Sequence, residues 1–561
     1  MTNKLNSVIA ARSRRPDIKE ALMGGLLTLD DSQVRDRAGQ GSSRFDWCES
    51  KDGYSPTFQA NLPFGSQALT LPTIQKLRNE RGEWTTEVHL KPLQWGSDRA
   101  IITCPDSNAF VPAATAYPLY LFNEHRLLPN QRLVTPMRQQ ALNNVKSYRS
   151  PRGGYNFWPR RSGGAGVQPH NLPVQLLDQP LARKLLTVLG IGPADWIEKV
   201  SNPALNPGGS RQLTNIPDDA DDTSIAVAVQ EMARRAGEGA GDGQSMLRLA
   251  GYRDQDRTTP REPDEQWQGT NTGAYLTWLA PERNDPFADD GQGILPLGKN
   301  DVGPVVNANA LLALGLTGQT NLPGFSQAAN LVVRTIEEKR WQGGTRYYPQ
   351  PAVFPYCVAR AWRDGGIRAP GLDTALATLM RDLLEQQAQD GSFPGCPTGP
   401  DTSLTGGTGD RSRALSTAMS VVALLNLGRS MACSQGLERQ YDEALESGID
   451  YLLDSSRTCP LVNSPEQAFG RSWEPGVFFS GSPFAGYWRS EGYTVGVVVE
   501  ALTRYVTATD WGGPQREICP QAYARSAERA AQEFRFSVEP ACQNLSGRFH
   551  SKRVDCHHEL P

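Results

Sequence analysis

Small and hydrophobic residues recur along the chain in six runs with helical periodicity. Each run is rich in Ala, Val, Ser and Thr, often follows a turn that contains Gly and an aromatic residue, and commonly ends near Gly. Such recurrence is typical of one structural unit that is repeated. The runs lie at residues 106–121, 222–232, 305–312, 354–360, 414–427 and 493–502. The pattern therefore predicts six similar, largely buried helices.

Amphipathic segments with charged faces alternate with these runs. A helix with one polar face packs its other face on a core. We therefore expect a double ring of small inner helices and larger outer helices. The amphipathic segments include residues 328–339, 374–387, 437–453 and 522–534.

Residues 40–100 show a different pattern, in which polar and apolar side chains alternate. The stretch from Trp84 to Leu90 is the clearest case. Alternation with a period of two predicts β-strands. These strands would form a small cap or pack on the ring.

Charge and composition exclude few classes of function. The 57 Lys and Arg nearly balance the 60 Asp and Glu, with a formal net charge of −3, so nothing in the net charge favours nucleic acid or an acidic membrane as a partner. Met1 to Arg15 is polar and basic, and no run of about 18 apolar residues occurs, so we expect a cytoplasmic protein without a transmembrane segment. The nine cysteines form no C-x-x-C pair, which favours reduced thiols.

Four carboxylates precede the second helical run, at Asp218, Asp219, Asp221 and Asp222. Carboxylates this close together do not all ionise easily, so at least one is expected to keep its proton near neutral pH if it is buried. A retained proton can be donated. The structural alternative is that the acids only cap a helix, because its first turn favours negative charge.

Two motifs of the chain resemble class II terpene cyclases of the squalene-hopene cyclase superfamily. Residues 219–224 read D-x-D-D-T-S, like the family signature, and Gln387-x-x-x-Gly391-x-Phe393 is similar to its Q-x-x-x-G-x-W repeat with Phe in place of Trp. The resemblance implies a divergent member with an all-α fold, an (α/α)6 toroid of six helical hairpins around a hydrophobic cavity. The toroid would span residues 105–510, with a partly β N-terminal extension or cap at 1–104 and a C-terminal helix and tail at 511–561.

The same resemblance implies roles for the acids. Asp221 would protonate an alkene and start a carbocation cascade, while Asp219 and Asp222 would keep it protonated and supply the path for its reprotonation. Squalene-hopene cyclases orient this acid with a histidine, but no His occurs between residues 170 and 550. Asn307 and Asn309 are the best substitutes; their alternative role is local polar bonding within the bundle.

A carbocation needs stabilisation that does not trap it, and aromatic faces provide this through their quadrupoles. Ordinary packing between hairpins is the alternative role for these side chains. The candidate cavity lining is Phe110, Tyr155, Phe157, Trp158, Trp278, Trp341, Tyr347, Tyr348, Trp473, Phe478, Phe479 and Trp488.

The substrate predicted from the resemblance is a linear isoprenoid, either a prenyl diphosphate or a prenylated aromatic. Only 38% of residues are hydrophobic, which favours a soluble or transiently delivered isoprenoid over squalene and is compatible with transient membrane contact. Arg160 and Arg346 are candidates for binding a diphosphate, with surface solvation as their alternative role. No cofactor is expected to be required; Mg²⁺ would accompany a diphosphate.

Other functions remain open at this point. Asp218-Asp219-x-x-Asp222 resembles the magnesium motif of class I prenyl-diphosphate enzymes, although no convincing second magnesium motif follows. Six-hairpin rings also serve inverting glycosidases, which use two separated carboxylates. A non-catalytic ring that binds an apolar ligand or acts as a scaffold is the third possibility. In the glycosidase case the partner of Asp221 would be Asp106, Asp301 or Asp410.

Overall fold

The computed structural model describes residues 16–34, 81–90, 102–124, 131–158, 216–255, 271–280, 300–396, 413–461, 469–481 and 486–508, with short strands at 49–50, 53–54, 57–62, 65–70, 160–163 and 166–169. The α-helices of these ranges are α1 (Pro16–Ser32), α2 (Phe110–Glu124), α3 (Gln131–Ser147), α4 (Ala220–Arg235), α5 (Gly243–Met246), α6 (Pro304–Thr317), α7 (Phe325–Glu337), α8 (Val353–Arg363), α9 (Leu372–Gln386), α10 (Arg413–Leu427), α11 (Arg429–Ser434), α12 (Glu438–Asp454) and α13 (Glu491–Ala508).

The strands are short and lie mainly near the two ends of the described chain. They are β1 (Glu49–Ser50), β2 (Gly53–Tyr54), β3 (Thr57–Leu62), β4 (Gly65–Thr70), β5 (Thr86–Leu90), β6 (Ile102–Asp106), β7 (Arg160–Gly163), β8 (Gly166–Pro169), β9 (Arg457–Pro460), β10 (Phe469–Ser472), β11 (Val477–Gly481) and β12 (Gly486–Arg489). Within the described ranges, 3₁₀ helices cover Leu247–Gly251 and Arg340–Gly343.

Six helices pack against one another in a closed circuit. Helix α2 packs on α4, α4 on α6, α6 on α8, α8 on α10, α10 on α13, and α13 returns to α2. Each of the six predicted runs overlaps one of these helices. Helices α2 and α13 run in the same direction, because Phe110 meets Tyr493 near their N-termini. Further along, Tyr117 of α2 and Arg504 of α13 both bond to Asp364.

Further helices pack around this circuit. Helix α3 lies on α2, α7 on α6, α12 on α10, and α1 on α13. Helices α7, α9 and α12 coincide with predicted amphipathic segments, whereas α1 was not predicted. The predicted helix at 522–534 and the tail at 511–561 lie outside the described residues, as do residues 171–215 between α3 and α4. A complete outer set of six therefore stays a prediction. No helix in the described ranges has both the length and the apolar character needed to cross a bilayer.

The same hydrogen bond recurs at the start of four helices of the circuit. A backbone N–H in the preceding turn donates to a polar side chain one turn inside the helix, which ties the turn to the helix it introduces. This explains why aromatic turns and Thr or Asn recur together in the sequence. The pairs are Tyr155 with Thr223, Tyr275 with Asn307, Phe393 with Thr417, and Gly476 with Thr494, at 3.0 to 3.1 Å.

The Gln387-x-x-x-Gly391-x-Phe393 motif closes one such turn. Nε2 of Gln387 donates to the carbonyl oxygens of Gly391 at 2.9 Å and of Ala444 in α12 at 2.8 Å. Gly391 has φ +81°, and a Cβ there would collide with the carbonyl oxygen of Ser447. Only glycine satisfies both conditions. The motif thus joins the end of α9 to α12, and the N–H of Phe393 extends the connection to α10.

A four-stranded antiparallel sheet, in the order β11-β12-β5-β6, joins distant parts of the sequence. Trp488 of β12 pairs with Val88 of β5, which pairs with Cys104 of β6. Strand β5 confirms the strand predicted between Trp84 and Leu90. Strands β6 and β12 lead directly into α2 and α13, so the sheet stands at the N-terminal end of the circuit. The predicted domain boundary at residue 104 falls within β6, and the three-part division stays a prediction.

A buried ionic network fills the centre of the circuit towards the other end. The guanidinium carbon of Arg360 in α8 lies 3.8 Å from the ring centroid of Tyr117 in α2, and these two helices occupy opposite positions in the circuit. Nη1 of Arg360 donates to the hydroxyl of Tyr356 at 3.0 Å, and that hydroxyl donates to Oε2 of Glu500 at 2.7 Å. At this level of the circuit, side chains from opposite helices therefore meet across its centre.

Arg504 of α13 completes the network. Its Nε donates to Oε1 of Glu500 at 2.8 Å, and its two terminal nitrogens donate to the two carboxylate oxygens of Asp364. Arg504, together with Arg360, lowers the pKa of Asp364 even though burial opposes the shift. Two arginines thus face two acids, which leaves the network close to neutral.

Candidate active site

Asp219 caps the N-terminus of α4. Its backbone is extended, with φ −123° and ψ 161°, and its Oδ1 accepts a 2.6 Å hydrogen bond from the backbone N–H of Asp222. Its own N–H donates to the carbonyl of Tyr155 at 3.1 Å. Asp219 therefore has the helix-capping role that the sequence offered as the alternative for the acidic run.

Asp218 is directed away from the other acids. Its Oδ2 accepts hydrogen bonds from Oγ of Ser150 and from Nη1 of Arg248, the latter at 3.1 Å. Asp218 is therefore engaged apart from Asp219 and Asp222, the other two acids of the D-D-x-x-D pattern. Within the described ranges, no group of three or more His, Cys, Asp or Glu side chains is arranged to hold a metal ion.

Asp221 is the acid that faces the interior of the circuit. It is 7% exposed. Nδ2 of Asn309 in α6 donates to its Oδ1 at 2.7 Å, and the hydroxyl of Tyr348 donates to its Oδ2. Burial, and secondarily the charge of Asp222, raises the pKa of Asp221 to about 8, against the lowering effect of Asn309. Asp221 therefore holds its proton at neutral pH.

The neighbouring acids share this environment. Burial raises the pKa of Asp222 to about 7, and burial together with the charges of Asp222 and Asp221 raises the pKa of Asp219 well above its ordinary value. Such closely spaced groups titrate together. Oδ1 of Asp222 accepts no hydrogen bond from the described residues. The three acids therefore hold fewer than three negative charges at neutral pH.

The two asparagines proposed to assist the acid have different partners. Asn309 bonds to Asp221, which places it beside the acid. Asn307 instead donates to the carbonyls of Tyr275 and Gly303 and accepts from the N–H of Tyr275. Asn307 therefore has the alternative role given from the sequence, which is local polar bonding inside the bundle.

Ten aromatic side chains form a continuous group beside Asp221, which we term the aromatic cluster. Successive ring centroids lie 5.0 to 6.1 Å apart, the spacing of interacting aromatic pairs. Tyr348 contacts both Phe110 at 6.1 Å and Phe479 at 5.9 Å, so the residue bonded to Asp221 is part of the cluster. The members are Phe110, Phe157, Trp158, Trp278, Tyr347, Tyr348, Phe478, Phe479, Trp488 and Tyr493.

Three other predicted lining residues occupy packing positions. The Tyr155 hydroxyl donates to Asp242 at 2.8 Å, and Nε1 of Trp473 donates to the carbonyl of Leu452 at 2.6 Å. Trp341 is fully buried in the core, in a 3₁₀ helix that packs on α7. These three side chains therefore pack between helices, which is the alternative role given for every aromatic candidate.

The two predicted arginines are placed differently. The side chain of Arg160 lies outside the described residues. The guanidinium carbon of Arg346 lies 5.7 Å from the ring centroid of Tyr347, which belongs to the aromatic cluster. The structure therefore brings Arg346, half-buried, to the edge of the cluster.

Sequence reasoning missed two features of this site. Tyr493 joins the cluster through Phe110 and Phe478. It is the first residue of the sixth helical run, and this position could have indicated that it belongs with the other aromatic candidates. Tyr348 was predicted as an aromatic surface, and its hydroxyl bond to Asp221 was not. That contact links residues 127 positions apart, which no local pattern reveals.

Comparison with known proteins gives fold likeness alone. No protein-family model matches the chain, and no curated protein matches it in sequence. The chain is similar to solved structures of a protein from Actinoplanes (TM-score 0.41, 15% identity, 76% of this chain and 95% of that one), the type II terpene cyclase MstE from Scytonema (0.38, 14%, 77% and 94%) and cellobiose 2-epimerase from Bacillus thermoamylovorans (0.39, 8%, 71% and 88%). Two of these are enzymes of unrelated chemistry, and at such TM-scores none carries weight for function.

Proposed function

We propose that the chain is a six-hairpin α/α-toroid enzyme that cyclises a linear isoprenoid by protonating its alkene, as class II terpene cyclases do. One observation carries the proposal. Asp221 is buried, its pKa is raised to about 8, and it is bonded to Tyr348, a member of the aromatic cluster. A neutral acid beside a cluster of aromatic faces suits the formation of a carbocation better than it suits hydrolysis.

Protonation of an alkene requires a strong, neutral acid in a site without water. Burial and Asp222 keep the proton on Asp221 in the resting state. In the reaction, the O–H bond of Asp221 breaks, a C–H bond forms at one alkene carbon, and the positive charge develops on the other. The Asn309 amide and the Tyr348 hydroxyl then stabilise the new carboxylate. Loss of one such preorganised donor typically costs about 10²- to 10³-fold in rate.

Asp219 and Asp222 assist Asp221 as the acid. Asp222 follows Asp221 in the sequence, and Asp219 is the N-cap of the same helix. Both have raised pKa values. We assign to them the return of a proton to Asp221 after each turnover. The capping bond from Asp222 to Asp219 fixes their relative positions.

The aromatic cluster would receive the cation. Its faces attract positive charge without offering a lone pair that reacts readily. The ionic network around Arg360 and Glu500 bounds the site on the other side, where its charges are already paired. Chemistry is thereby restricted to the N-terminal half of the circuit.

The rest of the substrate is a prenyl diphosphate or a prenylated aromatic. Arg346 at the edge of the cluster is the described candidate for an anionic head group. Proton transfer from Asp221 uses no metal in itself, so Mg²⁺ would serve a diphosphate head group. A prenylated aromatic would bind through stacking on the cluster.

Incubation of the purified protein with geranyl, farnesyl and geranylgeranyl diphosphates, prenylated aromatics and squalene tests the proposal, with products identified by mass spectrometry. Asp221→Asn should abolish the cyclic product. Asp218→Asn is the matched control, because Asp218 belongs to the same acidic run but bonds to Ser150 and Arg248 instead. A product that Asp221→Asn still forms at the wild-type rate, or hydrolysis of oligosaccharides in place of isoprenoid cyclisation, would contradict the proposal.

A further inference from the structure

A second buried carboxyl group, that of Asp106, contacts the aromatic cluster away from Asp221. Asp106 ends strand β6 just before α2 and is 3% exposed. Its Oδ2 accepts hydrogen bonds from Nε1 of Trp488 at 2.8 Å and from Nδ2 of Asn108 at 3.3 Å. Trp488 belongs to the cluster, so this carboxyl lies at its edge.

The second oxygen of Asp106 has no such partner. Oδ1 is buried and accepts no hydrogen bond from the described residues. The indole N–H of Trp158, also a member of the cluster, and the backbone N–H of Ser107 lie near enough to lower the pKa of the carboxyl. Leaving a buried carboxyl oxygen unpaired is costly unless the site uses it. Oδ1 is therefore the oxygen of Asp106 that remains able to accept a proton within the cluster.

A path of aromatic rings joins the two acids. Tyr348, which bonds to Asp221, contacts Phe479 with ring centroids 5.9 Å apart. Phe479 contacts Trp488 at 5.0 Å, and Trp488 bonds to Asp106. A substrate lying along these three rings would have one end at Asp221 and a more distant part at Asp106.

Resting on the proposed function, we infer that Asp106 is the catalytic base that ends the cascade by removing a proton from the final carbocation. A C–H bond next to the cationic carbon breaks, its electron pair becomes a carbon–carbon double bond, and the proton forms an O–H bond at Oδ1 of Asp106. Asp221 has given one proton and Asp106 has taken one, so the substrate is isomerised. Asp106 then releases its proton to solvent when the product leaves.

The charge state of Asp106 fits this role. Burial raises its pKa to about 7, while the indole of Trp488 and the amide of Asn108 oppose the shift. The pKa of Asp106 is thus the lower of the two, about 7 against about 8 for Asp221, and an adjacent carbocation favours the Asp106 carboxylate further.

The test compares the products of the wild type, Asp106→Asn and Asp106→Glu. In Asp106→Asn, substrate consumption should continue because Asp221 is intact, while the share of the wild-type alkene falls at least tenfold in favour of hydroxylated or differently placed alkene products. Asp106→Glu should recover part of the wild-type alkene. Glu83→Gln is the matched control: Glu83 is also buried and lies near Asp106, but it accepts its hydrogen bond from Ser107. Circular dichroism and melting temperature establish that each variant is folded.

The outcomes separate this inference from the proposed function. If Asp106→Asn gives wild-type products in wild-type proportions, or if the wild type makes only hydroxylated products, Asp106 is not the base, although Asp221 can still be the acid. If the wild type converts none of the isoprenoids, both claims fail together. A changed product pattern in Asp106→Asn with an unchanged one in Glu83→Gln supports the inference.

Discussion

The side-chain amide of Asn309 donates a 2.7 Å hydrogen bond to Oδ1 of Asp221. The two residues belong to neighbouring helices of the circuit, α6 and α4, and the bond is buried. Tyr348, ahead of α8, bonds to the other carboxyl oxygen. Three separate elements therefore hold one acid, and the predictions that follow depend on this arrangement.

Asn309→Ala should slow cyclisation by about 10²-fold, because the carboxylate formed on proton transfer loses a donor. The pKa of Asp221 should rise further, since Asn309 lowers it. Asn307→Ala is the matched control, because its side chain bonds to the backbone at Tyr275 and Gly303. It should lower the free energy of unfolding by about 1–3 kcal/mol through unpaired backbone groups. Initial rates and urea unfolding of both variants measure this contrast; equal activity losses per folded molecule would contradict it.

Tyr348→Phe should reduce the turnover rate by at least tenfold while leaving the binding of substrate little changed, since the ring stays in the cluster and only the hydroxyl bonded to Asp221 is removed. Tyr347→Phe removes a hydroxyl that accepts from Trp278 instead. It should keep a rate near that of the wild type. Steady-state kinetics of the pair decide the matter, and a rise in KM alone in Tyr348→Phe would show that the hydroxyl does not assist the acid.

Activity should fall as pH rises above about 8. Burial and Asp222 raise the pKa of Asp221 to about 8, and only the protonated acid can start the reaction. Well above this pH, the rate should drop about tenfold per unit, as expected for one ionisation. A pH profile of the turnover rate measures this decrease. Activity that increases through pH 9 would mean that Asp221 does not act as the acid.

Stability should also depend on pH through Asp221. The folded protein binds this proton up to about pH 8, whereas the unfolded chain releases it near 3.8. The folded state therefore binds more protons between these values, and the free energy of unfolding falls as pH rises between them. Asp221→Asn should weaken that dependence. Urea denaturation at pH 5 and pH 8 measures it, and an equal pH dependence in both proteins would contradict the raised pKa.

The ionic network should stabilise the fold only when intact. Arg504→Met removes the partner of Asp364 and Glu500, and breaking a buried pair from one side costs about 3–5 kcal/mol. The double variant Arg504→Met with Asp364→Asn should lose less than the sum of the two single variants, because one uncompensated charge is gone. Denaturant unfolding of the four proteins tests the coupling; strict additivity would mean that the pair is not coupled.

Local patterns predicted the parts of this protein that depend on local sequence. The six helical runs were visible because each of these helices is buried on most of its surface and is therefore small and apolar. Asp221 stood out because four acids ahead of an apolar run are unusual. Strand β5 showed its alternation directly.

Long-range relationships were not predictable in the same way. The sheet pairs Trp488 with Val88, and α1 packs on α13, although neither contact follows from periodicity. Arg360 and Glu500 lie within helical runs or near their ends as isolated charges, and only the ring geometry brings them together. The choice between Asn307 and Asn309 also required the structure, because both occupy the same helix.

Deuterium incorporation tests the central claim most directly. The wild type is incubated with its isoprenoid substrate in D₂O, and the cyclic product is analysed by mass spectrometry and NMR. If Asp221 starts the reaction by protonation, the product gains one solvent-derived deuterium at the carbon of the former terminal alkene, and Asp221→Asn forms no such product. A cyclic product without deuterium, or an equally labelled product from Asp221→Asn, would contradict protonation by Asp221.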